Sequence, residues 1–140
     1  MSSQPPILTA IATLAVAVIL LTGCSADAGA PQTARQACKV LETDLISSSS
    51  GLSSAFSTLQ SDPQGAETAL AKFDKALTSS AGKVTNAQVK AAVTATTKSV
   101  AAMDVDLMDY IKDTSHTANL ESSATKVQTT FSTLAGLCTA

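Results

Sequence analysis

From residue 34 onward, apolar side chains return every three or four positions in four successive stretches. The first joins Cys38, Leu41, Leu45, Leu52, Ala55 and Leu59, with Phe56 alongside and Ser48 standing in one slot. The second is shorter and joins Ala66, Leu70, Phe73 and Leu77. The third runs Val89, Val93, Thr96, Val100, Met103, Leu107 and Tyr110, with Ile111 adjacent. The fourth runs Leu120, Ala124, Val127, Phe131, Leu134 and Cys138. Steps of three and four keep one face of a helix apolar, whereas a half-buried strand alternates every second residue. The pattern predicts four amphipathic helices.

Punctuation residues fall between these stripes. Thr33-Ala34-Arg35-Gln36 fits a capping box, with Thr33 at the N-cap and Gln36 at the third helical position. Asp62 followed by Pro63 reads as a cap and a first-turn proline. Asn86 is placed to cap the third helix, and Gly82 to close the second. Asp113 to Asn119 is polar and separates the last two helices. Two stretches oppose the pattern: Ser47-Ser48-Ser49-Ser50-Gly51, where a bend or fraying is expected, and Thr94-Ala95-Thr96-Thr97. Helix stability in proteins comes mostly from packing, so periodicity outweighs propensity. Four helices with short connections predict an all-α, up-down-up-down four-helix bundle over residues 34–140.

Ahead of the bundle lies an uncharged apolar run, Ile7 to Leu21, ending in Leu21-Thr22-Gly23-Cys24. Its length suits a signal-peptide h-region of roughly 7–15 residues rather than a spanning helix of ~20. The four residues resemble the bacterial lipobox, in which a branched apolar residue and two small residues precede an obligatory cysteine. The resemblance implies diacylglyceryl transfer to the Cys24 sulfur and cleavage between Gly23 and Cys24. Lipoprotein signals usually carry Lys or Arg at their start, and Met1 to Pro6 has neither. On this reading residues 1–23 are a signal peptide, residues 24–33 a lipidated flexible tether, and residues 34–140 the folded domain. The location implied is the extracytoplasmic face of the cell membrane, with the acyl chains holding the protein at ~0.8 kcal/mol per buried methylene. In being rich in Ala, Thr and Ser, the mature part is similar to small lipoproteins of high-GC Gram-positive bacteria.

With Cys24 assigned to lipid by that resemblance, Cys38 and Cys138 remain in a chain bound for an oxidising compartment, and they are expected to pair. The loop so closed would hold about 100 residues, worth up to ~4.7 kcal/mol in the chain-entropy description. In an up-down-up-down bundle both cysteines fall on the same end, as a disulfide requires. A free or metal-binding pair is the alternative, and neither residue has His or Cys neighbours to support it. The tether enters at that end, so the disulfide and Lys83 would face the membrane, and the loops at Asp62 and Asp113–Asn119 would point away.

Composition narrows the chemistry. A net charge of -2 with scattered lysines leaves no electrostatic footprint for nucleic acid. Asp104, Asp106, Asp109 and Asp113 crowd the end of the third helix. They suit a solvated face or a partner-docking patch better than a cation site, since no EF-hand spacing is present. His116 is the single histidine, which excludes catalytic triads and histidine metal clusters. With Met103, Met108 and Tyr110 near it in sequence, it is a candidate axial ligand for haem, against the plainer reading of a solvated loop residue. Ser99 and Ser132 read as helix-surface residues, with no base beside either. Neither an enzyme nor a bound cofactor or metal is expected. Two functions remain: a small interaction or structural module with an envelope protein partner, and a carrier of an apolar ligand or haem. The carrier needs a cavity of roughly 300 Å³ or more. Alanine-rich stripes are expected to pack closely and leave little room, which favours the module.

Overall fold

The computed structural model describes residues 31–139, so the apolar run, the lipobox-like stretch and Cys24 lie outside the described residues. Four helices account for almost all of them: α1 (Ala34–Ser57), α2 (Pro63–Lys83), α3 (Ala87–Lys112) and α4 (Thr117–Thr139). A single 3-10 turn, Thr114–His116, precedes α4, and there is no strand among the described residues. No described helix is long and apolar enough to cross a membrane.

Local chemistry starts each of the first three helices. Thr33 accepts from the Gln36 backbone N–H while its own N–H donates to Gln36 Oε1 at 2.9 Å, completing the capping box. Asp62 accepts from the Gly65 N–H at 2.9 Å, and Pro63 opens α2. Asn86 accepts from the Val89 N–H at 3.1 Å and starts α3. Each cap satisfies a first-turn donor that has no partner inside the helix.

Three expectations need correction. The serine run does not break α1, which is continuous across it. Ser48, Ser49 and Ser50 donate their hydroxyls to the carbonyls of Leu45, Ile46 and Ser47, one turn back, so each hydroxyl is satisfied inside the helix while the backbone ladder persists. The threonines of α3 do the same: Thr94, Thr96 and Thr97 donate to Lys90, Ala92 and Val93. Gly82 does not terminate α2, which runs one residue further to Lys83 and is capped by Val84 in extended backbone. Ser99 is not a free surface residue; it is half-buried and shares a 2.8 Å hydrogen bond with the Thr130 hydroxyl across α3 and α4.

The helices form a bundle around one core. Leu70, Leu77, Val84, Val89, Val93, Val100 and Leu107 are fully buried. Burying a side chain of this size is worth about 1.5–3 kcal/mol. Consecutive helices pack on one another, α1 on α2, α2 on α3 and α3 on α4, whereas α1 and α4 scarcely touch along their length. Those two are joined instead by the Cys38–Cys138 disulfide, with Cα atoms 5.5 Å apart.

Other polar links gather near the same end. Gln32 Oε1 accepts from the Thr85 N–H at 2.7 Å, and the Asn86 side-chain amide donates to the Gln32 carbonyl at 3.1 Å. Asp44 of α1 takes the Lys83 ammonium at 2.8 Å and the Ser80 hydroxyl at 3.0 Å, both from α2. The last residues of the expected tether are therefore folded against the turn between α2 and α3.

Glycine positions distinguish local from tertiary effects. A Cβ on Gly51 meets nothing, whereas one on Gly65 lands on the Asp62 carboxylate that caps α2. Gly51→Ala is expected to stabilise the domain by about 1 kcal/mol, a rise in Tm of roughly 4–8 °C. Gly65→Ala is expected to give no gain, because the displaced cap costs about as much; thermal unfolding by circular dichroism checks both.

Candidate functional site

The sparse contact between α1 and α4 leaves a cleft of about 600 Å³ in the half of the bundle away from the disulfide. Its α1 wall comes from the second half of that helix and the following loop, chiefly Leu52, Phe56 and Leu59. Leu120, Ala124, Val127 and Phe131 of α4 face them. Phe73 of α2 with Met103 and Tyr110 of α3 complete the lining.

Every aromatic residue of the chain is in this lining: Phe56, Phe73, Tyr110 and Phe131. Phe73 and Phe131 lean on each other with ring centroids 6.4 Å apart and planes tilted by 42°, within the range of favourable aromatic pairs. The cleft also explains why α4 departs from its expected stripe. Leu120, Val127 and Leu134 are buried, but Ala124 and Phe131, on the wall of the cleft, are only half-covered. On α1 the buried pair at this level is Leu52 and Phe56, and Ala55 is the peripheral one. The expected close packing of alanine-rich stripes fails for a physical reason. The large aromatic rings are gathered in this half, and the α1 positions beside Leu52 and Phe56 are the short Ser49 and Ser53, which add no bulk across the cleft.

Polar groups form the rim. Ser49, Ser53 and Ser57 stand on the α1 side, and Thr117, Glu121 and Gln128 on the α4 side. No Lys, Arg, His or Cys is among the lining residues, and Glu121 is the only charged one.

The candidate residues from the sequence are dispersed. Met103 and Tyr110 line the cleft, but His116 is exposed in the 3-10 turn and is not in the lining. Met108 is exposed on the outside of α3. The aspartates do not converge either. Asp109 pairs with Lys112 at 3.3 Å on the surface, and Asp113 accepts from the Ser115 N–H at 2.9 Å to hold the turn before α4. That hydrogen bond, together with the neighbouring His116, keeps the Asp113 carboxyl below the usual carboxylate range. Among the described residues, no group of three or more His, Cys, Asp or Glu stands close enough to hold a metal ion.

Asp104 instead faces α2. One carboxylate oxygen of Asp104 and one of Asp74 are buried without a hydrogen-bond partner. Burial, and secondarily the Asp104 charge, push the Asp74 carboxyl above its ordinary value. At Asp44 the effect is opposite: hydrogen bonds from Lys83 and Ser80 hold its carboxyl low. Comparison with protein-family models, with curated proteins and with solved structures gives no match, so the cleft is interpreted from its own geometry.

The Asp74 shift has a definite sign. A carboxyl that binds its proton more tightly in the folded state than in the unfolded one favours folding at low pH. That contribution is present below the unfolded value near 4 and is lost as pH rises through the higher folded value. Asp74→Asn is therefore expected to raise stability at pH 7, with the advantage disappearing below about pH 4. Urea unfolding at a series of pH values measures it.

Proposed function

We propose that the protein is a lipid-anchored extracytoplasmic binding protein that carries an apolar ligand between α1 and α4. The observation that carries this reading is the cleft, about 600 Å³ and lined by all four aromatic residues. That volume lies within the roughly 300–1,000 Å³ usual for small-molecule sites. It removes the objection that the core has no room. The lining offers hydroxyls, amides and one carboxylate but no nucleophile with an adjacent base, which supports binding rather than catalysis.

The arrangement we infer is the up-down-up-down bundle, supported by the links from Gln32 to Asn86, from Asp44 to Lys83 and from Cys38 to Cys138. They join the residue ahead of α1 to the start of α3, the first half of α1 to the end of α2, and the first turns of α1 to the end of α4. With Cys24 acylated, the stapled end lies nearest the bilayer and the cleft opens away from it, towards the envelope. An apolar molecule could then be held clear of the membrane that would otherwise dissolve it. Haem is the less favoured cargo, since His116 lies outside the lining.

Two measurements test this reading. Labelled palmitate is expected to be incorporated into the full chain, and Cys24→Ser to abolish that incorporation; unaltered labelling would remove the anchor. The domain spanning residues 25–140, with its disulfide verified by mass spectrometry, is expected to bind the neutral dye Nile red. Ala124→Trp, which fills the cleft, is expected to weaken binding at least tenfold. Ala135→Trp, on an exposed part of α4 outside the lining, should leave it unchanged. No dye binding by a cooperatively folded domain overturns the carrier reading, and a Soret band on adding hemin would make haem the cargo instead.

A further inference from the structure

The cleft has a mouth with a chemical bias. A hydroxyl has one proton to donate and two lone pairs to accept. Six hydroxyls at the rim have already committed that proton to a backbone carbonyl one turn back. Ser49 donates to Ile46, Ser57 to Ser54 and Thr58 to Ala55. Ser61 donates to Thr58, Thr117 to Thr114 and Thr125 to Glu121. All six belong to the lining, and what they present outward is lone pairs.

Glu121 adds a carboxylate, which when ionised only accepts. It is exposed and stands on α4 beside Leu120 and one turn before Ala124 and Thr125. No lining cation balances it. The side-chain donors left at the mouth are the Ser53 and Tyr110 hydroxyls and the amides of Gln60 and Gln128. A carboxylate or phosphate head would therefore meet a carboxylate and a majority of acceptors. A head that donates would find partners on both walls.

Resting on the carrier reading, we infer that the ligand is an apolar molecule whose polar end donates hydrogen bonds and carries no negative charge. Glu121 is the specificity-determining residue that rejects anionic amphiphiles. Like charges brought together at a partly desolvated mouth repel more strongly than they would in water. The acceptor-rich rim leaves an anionic head without the donors it would lose from water.

A series with one tail and three heads separates the possibilities. Dodecanol, dodecylamine and dodecanoate are titrated against Nile red bound to the residue 25–140 domain at pH 7.5, below their micelle concentrations. The alcohol and the amine are expected to displace the dye at least tenfold more effectively than the carboxylate. Glu121→Gln should narrow the difference, and Glu121→Lys should invert it in favour of dodecanoate. Dodecanoate binding as tightly as dodecanol, or all three affinities unmoved by Glu121→Lys, overturns the inference while leaving the carrier reading intact. If neither the dye nor any of the three tails binds, the carrier reading itself fails. A domain that elutes as a dimer, and binds dye only when diluted to monomer, would show that a second copy occupies the cleft and would overturn the inference too.

Discussion

The Cys38–Cys138 bond is the constraint on which the bundle's closure depends, because it joins the two helices that packing does not. The seams α1–α2, α2–α3 and α3–α4 are held by interdigitating side chains between neighbours in sequence, and short loops make those contacts entropically cheap. The fourth seam must bring the ends of a long chain together. Small serines and alanines on α1 bury too little area there to hold it. The covalent bond closes a separation of 100 residues and confines closure to one end. A strongly apolar α1–α4 seam would have closed the bundle along its whole length and left no cleft.

Two halves with different packing follow from this. Near the staple the core is aliphatic, with Leu77, Val84, Val89 and Val93 fully buried, and compact β-branched side chains suit close helix packing. In the other half the rings of Phe56, Phe73, Tyr110 and Phe131 are concentrated, and the lining between them includes short polar residues such as Ser49 and Ser53. Rigid rings with short side chains between them leave a void that neither wall can fill by changing rotamers. The same residues that would be a conventional core in a sealed bundle here form walls around an opening.

Secondary structure was legible in the sequence because it is set by signals within one or two turns. The caps at Thr33, Asp62 and Asn86 follow from local hydrogen-bonding chemistry, and the expected stripes of α2 and α3 are buried except for Tyr110, which is half-exposed, while Ser80 is buried on α2 without having been expected. Legibility fell where the outcome depends on the distance between helices. Periodicity marks Ala124 and Phe131 as inward-facing, but only the partner helix decides whether they are covered, and on the wall of the cleft they are half-covered. The cleft did have a trace in the sequence. Short serines recur along the second half of α1, among them the cleft-lining Ser49, Ser53 and Ser57, and the few aromatics cluster towards the same end of the bundle. At the serine run low intrinsic propensity suggested a bend or fraying, but α1 stays helical there, its serine hydroxyls bonded to carbonyls one turn back and its buried Leu45 and Leu52 held by packing. The dispersal of the aspartates was hidden for a similar reason: shared spacing on one helix does not reveal that Asp104 points towards Asp74 of another.

Gln32, clasped by Thr85 and Asn86, defines a load path through the molecule. Any pull arriving from the chain that precedes it enters at the turn between α2 and α3, a few residues before the disulfide. Covalent bonds and the helix ends nearest the staple take up that pull. The distal loops, and with them the walls of the cleft, lie off this path. Strain transmitted along the preceding chain would thus be borne by the stapled end, and the aromatic chamber would keep its shape.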